Sequence, residues 1–235
     1  MKGIVFDLDN TLYDRYATIS AMIERGWDRA RPYINPGYHL KKACEHVCHT
    51  EALYIDWHDC YLHLIDEHFF NADNIPDYEK FHSFAFEGFM TVGINFEGIH
   101  EFLDELKARG YKLAILTNAG DVVYQQAKFD LLKISHHFDQ ILVSGAYSTE
   151  MCGDPKDKRY IKPQPQIFLH MAELLGEKPQ DLYYVGDNPV NDVMGAWNSG
   201  YVPIWVRSRS PWNIENKYMP KLCVDNVMEI LDIID

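Results

Sequence analysis

Hydrophobic and polar positions divide this chain into two kinds of segment. From residue 95 onward, short runs of β-branched and aliphatic residues alternate with stretches whose apolar residues recur every three or four positions. EGIHEFLDELKARG carries Ile99, Phe102, Leu103 and Leu106 at helical spacing, with Gly110 as the stop. YKLAILT predicts a buried strand, because aliphatic residues are bounded there by turn chemistry. The same reading predicts helices over 121–133, 164–175 and 189–199, and strands over 140–144, 182–186 and 202–206. A short strand at 222–224 and a helix carrying Val227, Ile230, Leu231 and Ile234 complete the series. With GIVF (3–6) as the first strand, the alternation implies an α/β fold. It is a parallel sheet with right-handed crossovers and helices on both faces.

Residues 15–94 break the alternation. Three segments, 17–34, 39–70 and 78–90, read as helices with Pro and Gly at their joints. In the second, Tyr54, Trp57, Tyr61, Leu64 and Ile65 share one helical face. The expected organisation is a core of residues 1–14 and 95–235, interrupted by an all-α cap domain over 15–94.

Ligands of parallel sheets bind beyond the carboxyl ends of the strands, and polar residues gather there. The first strand runs into DLDNT, where Asp7 and Asp9 lie two apart and Leu8 turns elsewhere. Asp187 follows the strand 182–186, with Asp192 five positions on. Turn formation and helix capping account for single acids in such places. They do not account for four at one sheet edge, where mutual repulsion calls for a hard cation with oxygen ligands, such as magnesium. LTNAG adds the Thr117 hydroxyl and a small, backbone-exposing turn at Asn118, an arrangement suited to an anion. Lys162 precedes a proline-started helix; taken alone it reads as a solvated lysine.

In order, DLDNT, LTNAG, the KPQPQIF at Lys162 and GDNPVND resemble the four motifs of the haloacid dehalogenase superfamily, from Asp7 to about Trp205. The resemblance implies a Rossmann-like core and a helical cap of that superfamily's first type. It makes Asp7 the nucleophile that forms an aspartyl-phosphate and Asp9 the general acid and then base. Asp7, the Asp9 backbone carbonyl and Asp187 would hold Mg2+, with Asp192 joining through water or orienting that shell. Thr117 and Asn118 would hold phosphoryl oxygens, and Lys162 would offset their charge. Asp9 favours a phosphatase over a 2-haloacid dehalogenase, since a halide leaves without a proton whereas an alcohol leaves more easily with one. A phosphomutase and a non-catalytic phospho-ligand-binding regulator are the alternatives. The link AYSTEMCGDPKDKRYI is longer than the superfamily's usual one. It reads as a solvated flap whose Lys156, Lys158 and Arg159 are alternatives to Lys162.

Composition narrows the partners. A net charge of -13 without a basic run disfavours nucleic acid and anionic membranes, leaving a small phosphorylated metabolite as the expected partner of a monomer or homodimer. The start of the chain lacks a signal-peptide pattern, and no apolar run is long enough to span a bilayer. Five scattered cysteines without CxxC spacing read as reduced thiols of a cytoplasmic protein. Cys44, His46, Cys48, His49, His58 and Cys60 read as core or surface residues rather than a zinc site. Tyr13, Tyr16 and Trp27 are candidates to stack on a substrate ring.

Overall fold

The structure, a computed structural model, describes residues 1–53, 57–89, 91–207 and 210–234. Contacts divide the chain into two compact units. One comprises Met1–Asp14, Asn95–Val122 and Leu132–Asp235; the other comprises Arg15–Ile94 and Val123–Leu131.

The first unit begins with β1 (Gly3–Phe6). The helices of the second unit are α1 (Arg15–Ala30), α2 (Leu40–Glu51), α3 (Trp57–Asp66) and α4 (Tyr78–Phe89). Back in the first unit come α5 (Ile99–Ala108) and β2 (Lys112–Thr117), then α6 (Val122–Leu132), whose middle belongs to the second unit. β3 (Gln140–Val143), α7 (Ser144–Cys152), α8 (Pro165–Leu175) and β4 (Leu182–Gly186) follow, then α9 (Gly195–Asn198), β5 (Val202–Val206), β6 (Leu222–Val224) and α10 (Ile230–Ile233).

Six strands pair in parallel in the order β3-β2-β1-β4-β5-β6. β1 is central: Gly3 pairs with Lys112 on one side and Leu182 on the other. All four of its residues are buried, which is why it reads as a continuous apolar run rather than an alternating one. Its successive side chains feed opposite faces of the sheet. Val5 joins Ala114, Leu116, Ile167, Phe168 and Tyr184 on one face. Phe6 meets Phe102 and Phe138 edge-on at 6.2 and 6.3 Å.

The helical unit has its own core. Ile19, Met22, Val47, Leu64 and Phe70 pack with Trp57, Tyr61, Phe81 and Tyr124. Trp57, Tyr61, Leu64 and Ile65 lie on it as their spacing predicts; Tyr54 lies outside the described residues. Tyr124 explains why residues 123–131 count with this unit, beyond the expected 15–94: its ring meets Trp57 at 5.9 Å.

Four elements differ from the sequence reading. Segment 39–70 is two helices, α2 and α3. The link after β3 is not an open flap: its first half is α7, with Tyr147 and Ser148 buried. The predicted helix 189–199 begins as one wide i→i+5 turn, Pro189–Met194, before α9. The last helix is a 3-10 turn, Val227–Glu229, running into α10. Among the described residues no helix is long and apolar enough to cross a membrane.

Phe6→Ala removes a fully buried ring at the centre of the sheet. The expected cost is about 3–5 kcal/mol, measured by urea denaturation against wild type.

Candidate active site

The carboxyl ends of β1, β2 and β4 bring the expected residues to one place in the first unit. Asp7 continues β1 by one residue: its N–H donates to the Val185 carbonyl at 2.8 Å. That pairing fixes the Asp7 backbone, and its carboxylate takes the Lys162 ammonium on Oδ1 at 2.7 Å and the Thr11 hydroxyl on Oδ2 at 3.4 Å. Asp187, the residue after β4, accepts from the Ser210 hydroxyl at 3.0 Å, while Trp205 Nε1 donates to its backbone carbonyl at 3.0 Å. Carboxylate oxygens of Asp7, Asp187 and Asp192 lie within 4.8 Å of one another, and all three residues are buried.

Asp192 is only 1% exposed, and both its oxygens are committed. Oδ1 takes Lys162 Nζ at 2.7 Å, and Oδ2 takes the Asn188 N–H at 2.9 Å. The wide turn from Pro189 to Met194 aims it inward: both the Asp192 and the Val193 N–H groups reach back to the Asn188 carbonyl. Gly186 makes this possible, because a Cβ there would collide with the Asp192 carboxylate.

Lys162 is 3% exposed and held from both ends. The Asn118 carboxamide clamps its backbone, donating to the Lys162 carbonyl at 3.0 Å and accepting from its N–H at 2.9 Å. Its ammonium donates to Asp7, Asp192 and, at 3.0 Å, the Tyr184 hydroxyl. The Tyr184 hydroxyl has the Leu116 carbonyl at 3.1 Å and Asp192 Oδ1 at 3.3 Å as acceptors. Burial alone would lower the Lys162 pKa, but Asp192 and Asp7 outweigh it and hold the group well above its ordinary value. Burial pushes Asp7 up to about 7; Lys162 opposes this, while Asp192 and Asp9 add to it. Burial likewise raises Tyr184 well above the ordinary phenol, which keeps it a neutral donor.

Several sequence expectations are refined by this geometry. Lys162, not Lys156, Lys158 or Arg159, is the cation on Asp7; those three are exposed, and Arg159 pairs with Asp157 at 2.6 Å. The Asn118 side chain is turned to the Lys162 backbone, so its N–H is the part suited to an anion, beside the buried Thr117 at the end of β2. Asp9 is half-buried and accepts from the Tyr13 hydroxyl at 2.5 Å. Tyr13 is fully buried and therefore cannot stack on a substrate ring. Tyr16 and Trp27 pack against the core of the helical unit. Asp14 immediately precedes α1. The Cys44 and Cys48 thiols point to the carbonyls of Ser20 and Tyr16, and His46 stacks on Phe69, so core packing accounts for them.

Tyr184, Thr11 and Ser210 escaped the sequence reading. The signal available for Tyr184 was its place two residues before Gly186 on a strand, which puts both on the sheet face toward Asp192.

Three buried carboxylates against one ammonium leave the cluster negative, and every donor is oxygen, so the residues fit a hard divalent cation. Asp7 and Asp187 follow directly on strand ends, and each accepts from a hydroxyl, Thr11 on Asp7 and Ser210 on Asp187. The commitments of Asp192 favour a supporting role over direct ligation.

Lys162→Met should strand Asp7 and Asp192 as buried, unpaired charges. The expected loss is about 3–5 kcal/mol of stability, read by denaturant unfolding. Gly186→Ala should displace Asp192 and cost about 1–3 kcal/mol in the same assay.

The sequence matches the haloacid dehalogenase-like hydrolases over residues 1–200. It is 25% identical to the N-acylneuraminate-9-phosphatase of Mus musculus, over 98% of this chain and 92% of that protein. It is 26% identical to the glyceraldehyde 3-phosphate phosphatase of Methanopyrus kandleri, over 100% and 97%. The L-2-haloacid dehalogenase structure from Xanthobacter autotrophicus aligns with a TM-score of 0.70 at 19% identity, covering 99% of this chain and 98% of that one, a likeness of fold. With four motifs gathered at one sheet edge and a match over most of its length, this chain belongs to the haloacid dehalogenase-like hydrolase family.

Proposed function

We propose that this protein is a magnesium-dependent phosphatase that hydrolyses a small-molecule phosphomonoester through an aspartyl-phosphate on Asp7. The observation that carries the reading is the pairing of roles two residues apart. Asp7 lies under a buried ammonium, and Asp9, two residues on, accepts from the Tyr13 hydroxyl on one oxygen.

An Asp7 oxygen attacks phosphorus as the bond to the leaving oxygen breaks, and a proton from Asp9 goes to the departing alkoxide. Asp9, now ionised, takes a proton from water, which attacks the phosphorus and releases phosphate and the Asp7 carboxylate. Lys162 favours the ionised Asp7 carboxylate and opposes, without cancelling, the effect of its burial. The Thr117 hydroxyl and the Asn118 N–H would receive the phosphoryl oxygens at the end of β2. Mg2+ held by Asp7, the Asp9 carbonyl and Asp187, with Asp192 in support, would neutralise charge developing on the phosphoryl group.

Relatives named for phosphorylated sugars and sugar acids support a sugar phosphate as substrate, with nucleotides as the second group to test. The helical unit is proposed as the specificity-bearing cap. The five cysteines, none of them in a disulfide, support a reducing, cytoplasmic setting. A dehalogenase would have no use for Asp9 as an acid, and the likeness to the haloacid dehalogenase is one of fold.

Phosphate release from a panel of sugar phosphates, nucleotides and an aryl phosphate, with and without Mg2+, tests the reading. Turnover is expected only with the metal, and Asp7→Asn should abolish it. Asp9→Asn should lower kcat about 10²–10⁴-fold on alkyl phosphates, and less on the aryl phosphate, whose leaving group needs less help from an acid. Metal-independent turnover, or halide release from a 2-haloacid, would overturn it.

A further inference from the structure

Apart from the carboxylate cluster, three imidazoles meet within the first unit. His100 lies on the first turn of α5, and His136 and His137 occupy the 3-10 turn Ser135–His137 that leads into β3. One nitrogen of each lies within 4.8 Å of the others. Their burial is graded: His137 is 4% exposed, His100 half-buried and His136 exposed.

A proton inventory shows which lone pairs face the centre. Asp104, one turn along α5 from His100, places Oδ1 3.1 Å from His137 Nδ1. A carboxylate only accepts, so His137 Nδ1 carries the proton and Nε2 presents a lone pair. His137 Nε2 lies 2.9 Å from His100 Nδ1, so without an ion the His100 Nδ1–H serves it. On its other side, His100 Nε2 faces the Asn95 carboxamide nitrogen at 3.4 Å, which also donates to the Leu132 carbonyl at 2.9 Å, so moving the His100 proton to Nε2 requires Asn95 to turn its oxygen there instead.

We propose that His100, His136 and His137 form a site for a divalent transition metal of the zinc class, with Asp104 orienting His137 from behind. Ligand nitrogens in a tetrahedral site are about 3.3 Å apart, given metal–nitrogen bonds of about 2.0–2.1 Å. Opening the 2.9 Å contact to that separation is a small adjustment. The carboxylate–histidine pair at Asp104 and His137 is the arrangement that fixes tautomer and ring orientation in metal centres. Imidazole nitrogen selects zinc, nickel or copper over magnesium, so this site and the all-oxygen cluster are chemically separated. Three protein ligands leave a fourth position for water. A bound ion would clasp α5 to the segment before β3.

The test uses the full chain in excess Mg2+, with Co2+ as the spectroscopic stand-in for zinc. One Co2+ per chain should bind with the intense visible absorption of a tetrahedral nitrogen site, and Zn2+ should displace it. His100→Ala, at a half-buried position, and His136→Ala, at an exposed one, should lose the signal while keeping the wild-type circular dichroism. Asp104→Asn should weaken binding about 10–100-fold. Zn2+ should raise the Tm of wild type and not of His100→Ala. An absent tetrahedral spectrum, or binding unchanged in His100→Ala, would overturn the proposal.

Discussion

The candidate site depends on one contact: a lysine ammonium buried between two carboxylates. Lys162 Nζ is 2.7 Å from both Asp7 and Asp192, and each of the three residues is nearly out of solvent. Removing such charges from water costs several kcal/mol per ion, repaid only where geometry is close and the remaining protons and lone pairs find partners. Those partners are present. The third Lys162 interaction goes to Tyr184, the second Asp192 oxygen takes the Asn188 N–H, and the second Asp7 oxygen takes the Thr11 hydroxyl. The arrangement still leaves the surroundings negative, and Asp7 is raised to about 7 by its burial. A nucleophile that must be ionised is thus kept in a place that resists ionisation unless cations stay beside it.

The fold supplies this contact through distant parts of the chain. Central β1 and β4 run directly into Asp7 and Asp187, and β2 ends in Thr117. The Asn118 carboxamide then clamps the Lys162 backbone, tying the turn after β2 to the start of α8. A wide turn and a missing Cβ at Gly186 bring Asp192 inward against the sheet. Backbone clamp, strand end and helix entry each remove freedom from one charged side chain. The charges are held in place before any ligand arrives.

Much of this was legible in the sequence because strand runs and turn chemistry are local signals. The limits of β4, β5 and β6 follow from the apolar runs that form them, and Asp7 and Asp187 stand out as polar residues just past such runs, whereas Lys162, which alone reads as a solvated lysine, and Asp192 gain their meaning from the motifs around them. What escaped was set by tertiary packing. Tyr184 reads as one more aromatic in a buried strand, and only the fold turns its hydroxyl to Lys162. Tyr13 looks like a free aromatic ring, yet its hydroxyl is spent on Asp9. The segment after β3 reads as a polar link, and its burial of Tyr147 and Ser148 in α7 depends on neighbours far along the chain. His100 and the His136–His137 pair are separated by too many residues for spacing to join them; α5 and the turn before β3 do so.

The central claim is that Asp7 carries the phosphoryl group during turnover. Acid quench of the Mg2+-loaded protein during steady-state hydrolysis, followed by mass spectrometry of its peptides, tests this directly. The account predicts a phosphoryl adduct on Asp7 that is absent from Asp7→Asn. An adduct on any other residue, or turnover in Asp7→Asn at the wild-type rate, would contradict it.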